Sequence, residues 1–217
     1  VDLMGKDTPI SWADNTFNIW WGCDDAAAEL GASDRSEECR NCYARTFDHR
    51  LGGDHWGASA PRKFFGDKYW AKPIAWNAAA EKAGVRASVF CSSMADWAEI
   101  HQDPGIRSQQ DTERTRLWSL ISNTPWLDWL MLSKRPENWL RMLPWTWTSP
   151  RIHAEPWSNV FLGTTMGVAR SRWRVEMLRR TPAAKRFISA EPLLEHISDE
   201  TWNLILGQLP CEGAIAE

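Results

Sequence analysis

Short apolar runs alternate with longer stretches of helical periodicity, and this alternation constrains the fold more than any other feature of the chain. Four runs rich in aliphatic, β-branched and aromatic residues predict strands at 87–93, 126–133, 159–165 and 185–191. A fifth strand is predicted at 202–207. Successive runs lie mostly about 25 to 40 residues apart, which is the spacing of β-α-β units. The pattern therefore predicts an α/β fold with a parallel sheet.

Helices are predicted between the strands, and two segments are expected to be loops. The sequence indicates helices at 43–49, 111–123, 136–143 and 170–180. Segments 52–71 and 144–156 are rich in Gly, Pro, Ser and Trp, which predicts long loops. The 217 residues are expected to form one domain, 1–217, with a cysteine loop at about 20–45 and strand-helix repeats at about 87–207.

Composition and charge restrict how a nucleic acid or a membrane could bind this protein, but they do not identify a partner. The formal net charge is -3, so a nucleic acid would have to bind a local basic patch. No run reaches the roughly 20 apolar residues that span a bilayer, and the N-terminal residues lack a secretion signal, so a cytoplasmic protein without a membrane partner is expected. Segment 62–72 fits a phosphate- and base-binding surface, and equally a solvated loop with aromatic anchors. Its residues of interest are Arg62, Lys63, Phe64, Phe65, Lys68, Tyr69, Trp70 and Lys72.

Three cysteines near the start of the chain carry the clearest chemical signal. Cys23, Cys39 and Cys42 stand in the segment NIWWGCDDAAAELGASDRSEECRNCYA. Three thiolates without an obvious fourth ligand suit an iron–sulfur cluster that keeps one iron open to a small molecule. A zinc site fits the spacing about as well, with His49 or His55 completing the set. Five cysteines, an odd number, in a chain of intracellular composition argue against disulfides.

Polar side chains follow the ends of the predicted strands. Ligands of parallel α/β folds bind at the carboxyl ends of the strands, so these residues are candidates for a binding site, although a single Ser or Thr there is often only a helix cap. The adjacent cations Lys134 and Arg135 predict an anion nearby, either a bound carboxylate or phosphate, or Glu191. The candidates are Ser92, Ser93, Asp96, Ser133, Lys134, Arg135, Thr164, Thr165, Ser189 and Glu191.

Five motifs, in order, resemble a phage and bacterial family that is radical-SAM-like and otherwise of unknown function. The motifs are GC...CxxCYA ending at Ala44, VFCSSMADW at 89–97, LMLSKRP at 130–136, NVFLGTTM at 159–166 and PAAKRFISAEPLL at 182–194. The resemblance covers roughly residues 10–207 and favours a cluster over zinc.

The resemblance implies a partial (β/α)6 barrel of the TIM type with a [4Fe-4S] cluster on Cys23, Cys39 and Cys42. It also implies that S-adenosylmethionine (SAM) binds the open iron and is cleaved to a 5'-deoxyadenosyl radical. The electron would come from a reducing partner such as flavodoxin or ferredoxin. The phage association of the family points to a nucleic acid base or nucleoside as substrate. No residue is identified as catalytic.

The resemblance further implies roles for the residues around SAM. Tyr43 would pack near the adenine, and Ser92 and Ser93 would face the methionyl end. Lys134 or Arg135 would bind the SAM carboxylate.

Two more residues complete the expected cofactor site. Glu191 would bind a ribose hydroxyl or the substrate. Thr164 belongs with the same group of cofactor-binding strand ends.

The chain departs from the family pattern in two places. Fifteen residues separate Cys23 from Cys39, whereas the usual radical SAM signature has three. A loop of this length folds back at a modest entropic cost, so Cys23 can still join the other two cysteines at one cluster. Of the three ligand assignments, that of Cys23 depends most on the structure. The last strand and helix of a six-stranded barrel are expected to be missing or supplied by a partner. Two alternatives remain open: a zinc-stabilised nucleic-acid-binding module, and a non-catalytic barrel in a phage assembly.

Overall fold

The computed structural model describes residue 8 and residues 10–152 and 154–206. In chain order its strands are Asn15–Phe17 (β1), Trp20–Trp21 (β2), Lys63–Phe64 (β3), Ala87–Cys91 (β4), Leu127–Ser133 (β5), Val160–Thr165 (β6) and Lys185–Ser189 (β7). Five of them form a parallel sheet in the order β1-β4-β5-β6-β7, and β2 pairs with β3 in a small antiparallel ribbon. The protein therefore has a mixed α/β fold built on a parallel sheet.

The described helices lie between and around these strands. They are Glu37–Arg40 (α1), Tyr43–Arg50 (α2), Asp67–Trp70 (α3), Lys72–Ala83 (α4), Pro104–Ser122 (α5), Trp139–Met142 (α6), Trp145–Thr148 (α7), Arg172–Arg180 (α8) and Asp199–Leu206 (α9). Single 3-10 turns at Pro136–Asn138 and Ala169–Ser171 precede α6 and α8. Within the described ranges, no helix is both long and apolar enough to cross a membrane.

The four principal strand predictions are confirmed as β4 to β7, each within two residues at either end. The strand predicted at 202–207 is wrong, because residues 202–206 lie in α9 and Gly207 is outside the described residues. The hydroxyl of Ser198 accepts a hydrogen bond from the Thr201 N–H at 3.2 Å, which starts a helix at this point. A short apolar run cannot by itself distinguish a strand from a buried helix.

Other boundaries differ from the sequence-based expectation. Helix α5 starts at Pro104 instead of 111, because the Asp103 carboxylate accepts hydrogen bonds from the N–H groups of Gly105 and Ile106 at 2.8 and 2.9 Å. Strand β1 was not predicted, since it is only three residues long and largely polar. The expected loop at 52–71 contains β3 and α3, the expected loop at 144–156 contains α7, and α4 was not predicted.

The two faces of the sheet have different neighbours. One face carries residues such as Trp129, which is completely buried in the main core. On the opposite face, the register of β4, β5 and β6 places Phe90, Leu130 and Phe161 side by side. The Trp12 ring packs on this face with its centroid 4.6 Å from that of Phe90. Residues of this second face, including Trp12 and Phe90, line a cavity at the carboxyl edge of the sheet.

Asp48 on α2 joins the segments that flank the cysteines. Its Oδ1 accepts a hydrogen bond from Trp21 Nε1 at 2.6 Å and lies 2.8 Å from His55 Nδ1, and its Oδ2 accepts from the His55 backbone N–H at 3.0 Å. Burial alone raises the pKa of Asp48, but the donors of His55 and Trp21 outweigh it and hold the pKa below its ordinary value. The ionised carboxylate therefore stabilises the fold.

We expect Asp48→Asn to lower the free energy of unfolding at pH 7 by about 2 kcal/mol, because charged hydrogen bonds to buried donors are lost. The contribution of Asp48 is complete above its unfolded pKa of about 3.9 and is lost as the pH falls through the lower folded pKa. Urea unfolding at pH 7 and pH 3 checks both statements. The exposed Asp54→Asn is the matched control. A difference between Asp48→Asn and wild type that does not shrink at pH 3 would contradict the assignment.

Candidate functional site

A cavity of about 400 Å³ opens at the carboxyl edge of the parallel sheet. It brings together the cysteine segment and the ends of β4, β5 and β7. Its volume lies in the range of small-molecule sites. Its polar and sulfur-bearing lining residues include Cys23, Cys39, Cys42, Tyr43, Ser92, Ser93, Asp96, Ser133, Lys134, Arg135, Ser189 and Glu191.

Thr164 and Thr165 are the two predicted site residues that do not line this cavity. Both are completely buried, and the Thr164 hydroxyl donates to the carbonyl oxygen of Ser133 at 2.8 Å. Thr164 therefore links β6 to the end of β5. For Thr164, the prediction did not take account of side-chain direction, which alternates along a strand.

The three cysteines reach the cavity from different local structures. Cys23 follows the β2 strand, Cys39 lies in α1, and Cys42 immediately precedes α2. All three are free thiols. Cys39 Sγ accepts a hydrogen bond from the Ala26 N–H at 3.3 Å. The fourth described cysteine, Cys91, is buried in the core as a small apolar residue, and Cys211 is outside the described residues.

The three thiols that reach the cavity are the ligand type that binds iron–sulfur clusters. In a tetrahedral zinc site, Zn–S bonds near 2.3 Å bring thiolates to about 3.8 Å from one another. Among the described residues, no three Cys, His, Asp or Glu side chains are grouped closely enough to hold one metal ion. His49 is exposed on α2, His55 pairs with Asp48, and neither lines the cavity. A cluster instead binds each cysteine through a different iron.

The Cys23 thiol lies among charged groups. Burial raises the pKa of this thiol well above its ordinary value, the Arg135 charge opposes the rise, and the Glu99 and Asp96 carboxylates add to it. Cys23 is therefore a neutral thiol in the metal-free chain, and its Sγ donates to the Asp24 carbonyl oxygen at 3.0 Å. Coordination of a metal by Cys23 would release this proton.

Asp96 is the anion that accompanies the adjacent cations Lys134 and Arg135. Arg135 Nη1 donates to Asp96 Oδ2 at 3.0 Å, and the Lys134 backbone N–H donates to the same oxygen at 2.9 Å. The expected anion was Glu191 or a bound ligand, and the sequence had indicated Asp96 only as a strand-end residue. The half-buried Lys134 side chain lines the cavity, and its ammonium has no hydrogen bond or ion pair within residues 10–152 and 154–206.

Arg62 and Glu99 form a second buried pair beside the cysteine segment. Arg62 Nη2 lies 2.6 Å from Glu99 Oε1. The same Glu99 oxygen accepts the Asp24 N–H at 2.8 Å, next to Cys23. From the sequence, segment 62–72 fits a phosphate- and base-binding surface and equally a solvated loop, and both would leave Arg62 exposed. Arg62 is instead buried, and its charge is paired with that of Glu99 inside the protein.

The aromatic residues of that expected nucleic-acid surface are buried or partly buried. Trp70 is buried, Tyr69 stacks on Phe17 with centroids 5.0 Å apart, and Phe64 and Phe65 pack against the main core. These rings therefore contribute to the packing of the core. Lys63 and Lys68 are exposed beside them.

Glu38 and Arg174 anchor the loop between the first two cysteines to the sheet. The two side chains are completely buried, with Arg174 Nη1 at 3.2 Å from Glu38 Oε1. Burial by itself raises the pKa of Glu38, but Arg174 and neighbouring hydroxyl donors outweigh it and lower the pKa. Arg174 also donates to the carbonyl oxygen of Ala27, within the inserted loop, at 3.2 Å. The sequence around Arg174 in α8 contains no local pattern that predicts this pairing.

Apolar residues form the other side of the cavity. Trp12, Phe90 and Leu132 lie on the sheet side, and Trp56 lies near Cys23, with which it forms an isolated parallel bridge. The cavity thus combines a polar, cysteine-bearing part with an aromatic and aliphatic wall.

The fold is similar to that of a solved spore photoproduct lyase, a doubly substituted variant with bound AdoMet and dinucleoside spore photoproduct. The two structures superpose with a TM-score of 0.54 at 12% sequence identity. The match covers 96% of this chain and 55% of the other, so this chain spans about half of that protein's length. At this identity, the likeness shows a shared fold.

Comparisons of sequence give one match and one negative result. No curated protein matches the chain. A family model described as "Protein of unknown function (DUF5131)" matches residues 7–207, and the chain therefore belongs to that family.

Proposed function

We propose that this protein is a radical SAM enzyme that holds a [4Fe-4S] cluster on Cys23, Cys39 and Cys42. The observation that carries the proposal is that three free cysteines and the polar carboxyl ends of parallel strands line one cavity. The AdoMet bound to the similar structure supports it. The five parallel strands would then be most of the wall of a partial (β/α)6 barrel. When bound, the cluster supplies the electron that splits SAM into methionine and a 5'-deoxyadenosyl radical.

The residues of the chain would orient SAM and exclude water. Lys134, whose ammonium has no hydrogen bond or ion pair among the described residues, suits the SAM carboxylate. Ser92 and Ser93 suit the polar methionyl end, and Glu191 suits a ribose hydroxyl. Tyr43, whose hydroxyl donates to the Ser93 carbonyl oxygen at 2.9 Å, would lie against the adenine.

The proposed substrate is a nucleic acid base or nucleoside. A planar, partly apolar group suits the aromatic side of the cavity formed by Trp12 and Phe90. The dinucleoside bound to the similar structure favours the same class. A small reducing partner such as flavodoxin or ferredoxin would supply the electron.

We expect wild-type protein, reconstituted anaerobically with iron and sulfide, to bind about four irons per chain. The Cys39→Ala, Cys42→Ala double variant should lose them, because two of three cluster ligands are removed. Iron and sulfide analysis with the visible spectrum measures this. Cys91→Ala removes a core cysteine that does not line the cavity; it is the matched control and should keep its iron.

Two results would overturn the proposal in different directions. One bound zinc and no iron in wild type would favour a zinc-stabilised binding module. A complete cluster without reductive cleavage of SAM to 5'-deoxyadenosine would favour a non-catalytic barrel.

We expect Lys134→Ala to raise the Kd for SAM by about 10- to 100-fold while leaving the iron content unchanged, because a charge-assisted hydrogen bond to the carboxylate is lost. Calorimetric titration of the reconstituted protein measures the Kd. Lys68→Ala removes an exposed lysine that does not line the cavity and is the control. An unchanged Kd in Lys134→Ala would exclude the carboxylate contact.

A further inference from the structure

The guanidinium of Arg135 has protein partners on both of its terminal nitrogens. Nη1 donates to Asp96 Oδ2 at 3.0 Å and to Cys23 Sγ at 3.5 Å, and Nη2 donates to the Asp24 carbonyl oxygen at 2.7 Å. The backbone N–H of Arg135 donates to Ser133 Oγ at 2.9 Å. The residue is 8% exposed, so this arrangement is formed away from bulk water. Its planar fork is held in one orientation.

We propose that Arg135 is a positioning residue for the cluster: its N–H···S hydrogen bond holds Cys23 and raises the cluster's reduction potential. This inference rests on the proposed function. It assigns Arg135 to the cysteine ligand and leaves the SAM carboxylate to Lys134. The two adjacent cations therefore have different tasks.

Arg135 is poorly placed to bind SAM because its pairing with Asp96 is buried. Moving the guanidinium towards a ligand would leave the Asp96 carboxylate buried and uncompensated, which is strongly unfavourable. Asp96 is 7% exposed at its side chain, so water would not replace the lost partner. The Lys134 ammonium forms no such ion pair with any of the described residues.

The hydrogen bond has a direct electrostatic consequence. Reduction adds one negative charge to a cluster and its thiolates, and donors to the sulfur atoms stabilise that charge. Asp96 offsets part of the formal charge of Arg135, and the directional N–H···S contact acts on Cys23 in addition to the charge that remains. Removing it should make reduction more difficult.

The same contacts explain how Cys23 reaches the cavity despite its distance in sequence from Cys39. Arg135 binds both the Cys23 sulfur and the carbonyl group of the next residue, Asp24. Glu99 accepts the Asp24 N–H at 2.8 Å. Hydrogen bonds from residues distant in sequence thus hold Cys23 in place. In a chain with a short cysteine spacing, the short loop itself would keep the cysteines close together.

A first test uses the wild-type chain and needs no substitution. The reconstituted protein, labelled with ¹⁵N in the arginine guanidinium groups only, is reduced with dithionite in the absence of SAM. Dithionite supplies the electron. Pulsed electron paramagnetic resonance should then detect a weak coupling between the unpaired electron spin of the reduced cluster and a guanidinium ¹⁵N nucleus. A reduced cluster without this coupling would overturn the inference.

A second test measures reduction potentials by anaerobic titration without SAM. We expect Arg135→Met to bind iron and to have a more negative midpoint potential than wild type. The Arg135→Met, Asp96→Asn double variant removes both charges and should remain more negative, because the N–H···S contact is still absent. Arg141→Met, an exposed residue outside the cavity, is the matched control and should keep the wild-type potential.

The outcomes separate this inference from the proposed function. Wild type that binds no cluster refutes the proposed function and the inference with it. Wild type with a cluster, and Arg135→Met at the wild-type potential, refutes the inference alone. A double variant that returns to the wild-type potential shows that charge, and not the hydrogen bond, was responsible, which also refutes it. Where Arg135→Met is too unstable to titrate, the ¹⁵N measurement on wild type decides.

Discussion

Buried arginine–carboxylate pairs hold the cysteine segment against the carboxyl edge of the sheet. Arg62–Glu99, Arg135–Asp96 and Arg174–Glu38 each join residues at least 37 positions apart, and their side chains are at most 10% exposed. Removing one member of such a pair leaves a buried charge without a partner, at a cost of about 3–5 kcal/mol. Their arginines and carboxylates also bind backbone groups near Cys23 and in the inserted loop. The position of the cysteines therefore depends on these ion pairs.

The cavity owes its mixed character to the parallel sheet. Parallel strands deliver their carboxyl ends to one edge, where polar residues such as Ser92, Lys134 and Glu191 meet the cysteines. The side chains of Phe90 and Leu132 lie on the cavity side of the sheet and supply its apolar wall. A ligand with a charged amino-acid end and a planar apolar end matches both parts. This complementarity is the physical basis for proposing SAM and a nucleobase-like substrate.

Four strands were predictable because groups of aliphatic and aromatic residues, within strands of five to seven residues, suit a sheet that is buried on both faces. The run at 202–206 has similar composition but forms α9, since Ser198 caps a helix there. Strand β1 has too few apolar residues to be recognised, and only its pairing with β4 makes it a strand. Local composition was ambiguous in both elements: a helix cap decided α9, and a long-range strand pairing decided β1.

For the candidate site, the sequence by itself determined the cysteine pattern and the polar residues at the strand ends, because both depend on local spacing. Only the tertiary structure decided which of those side chains share a cavity: Lys134 and Glu191 line it, whereas the Thr164 hydroxyl is bonded to β5. It also decided that Arg135 pairs with Asp96 and Cys23 and that Arg62 is buried with Glu99. These partners are distant in sequence, and the energy of a buried charge depends on the atoms packed around it.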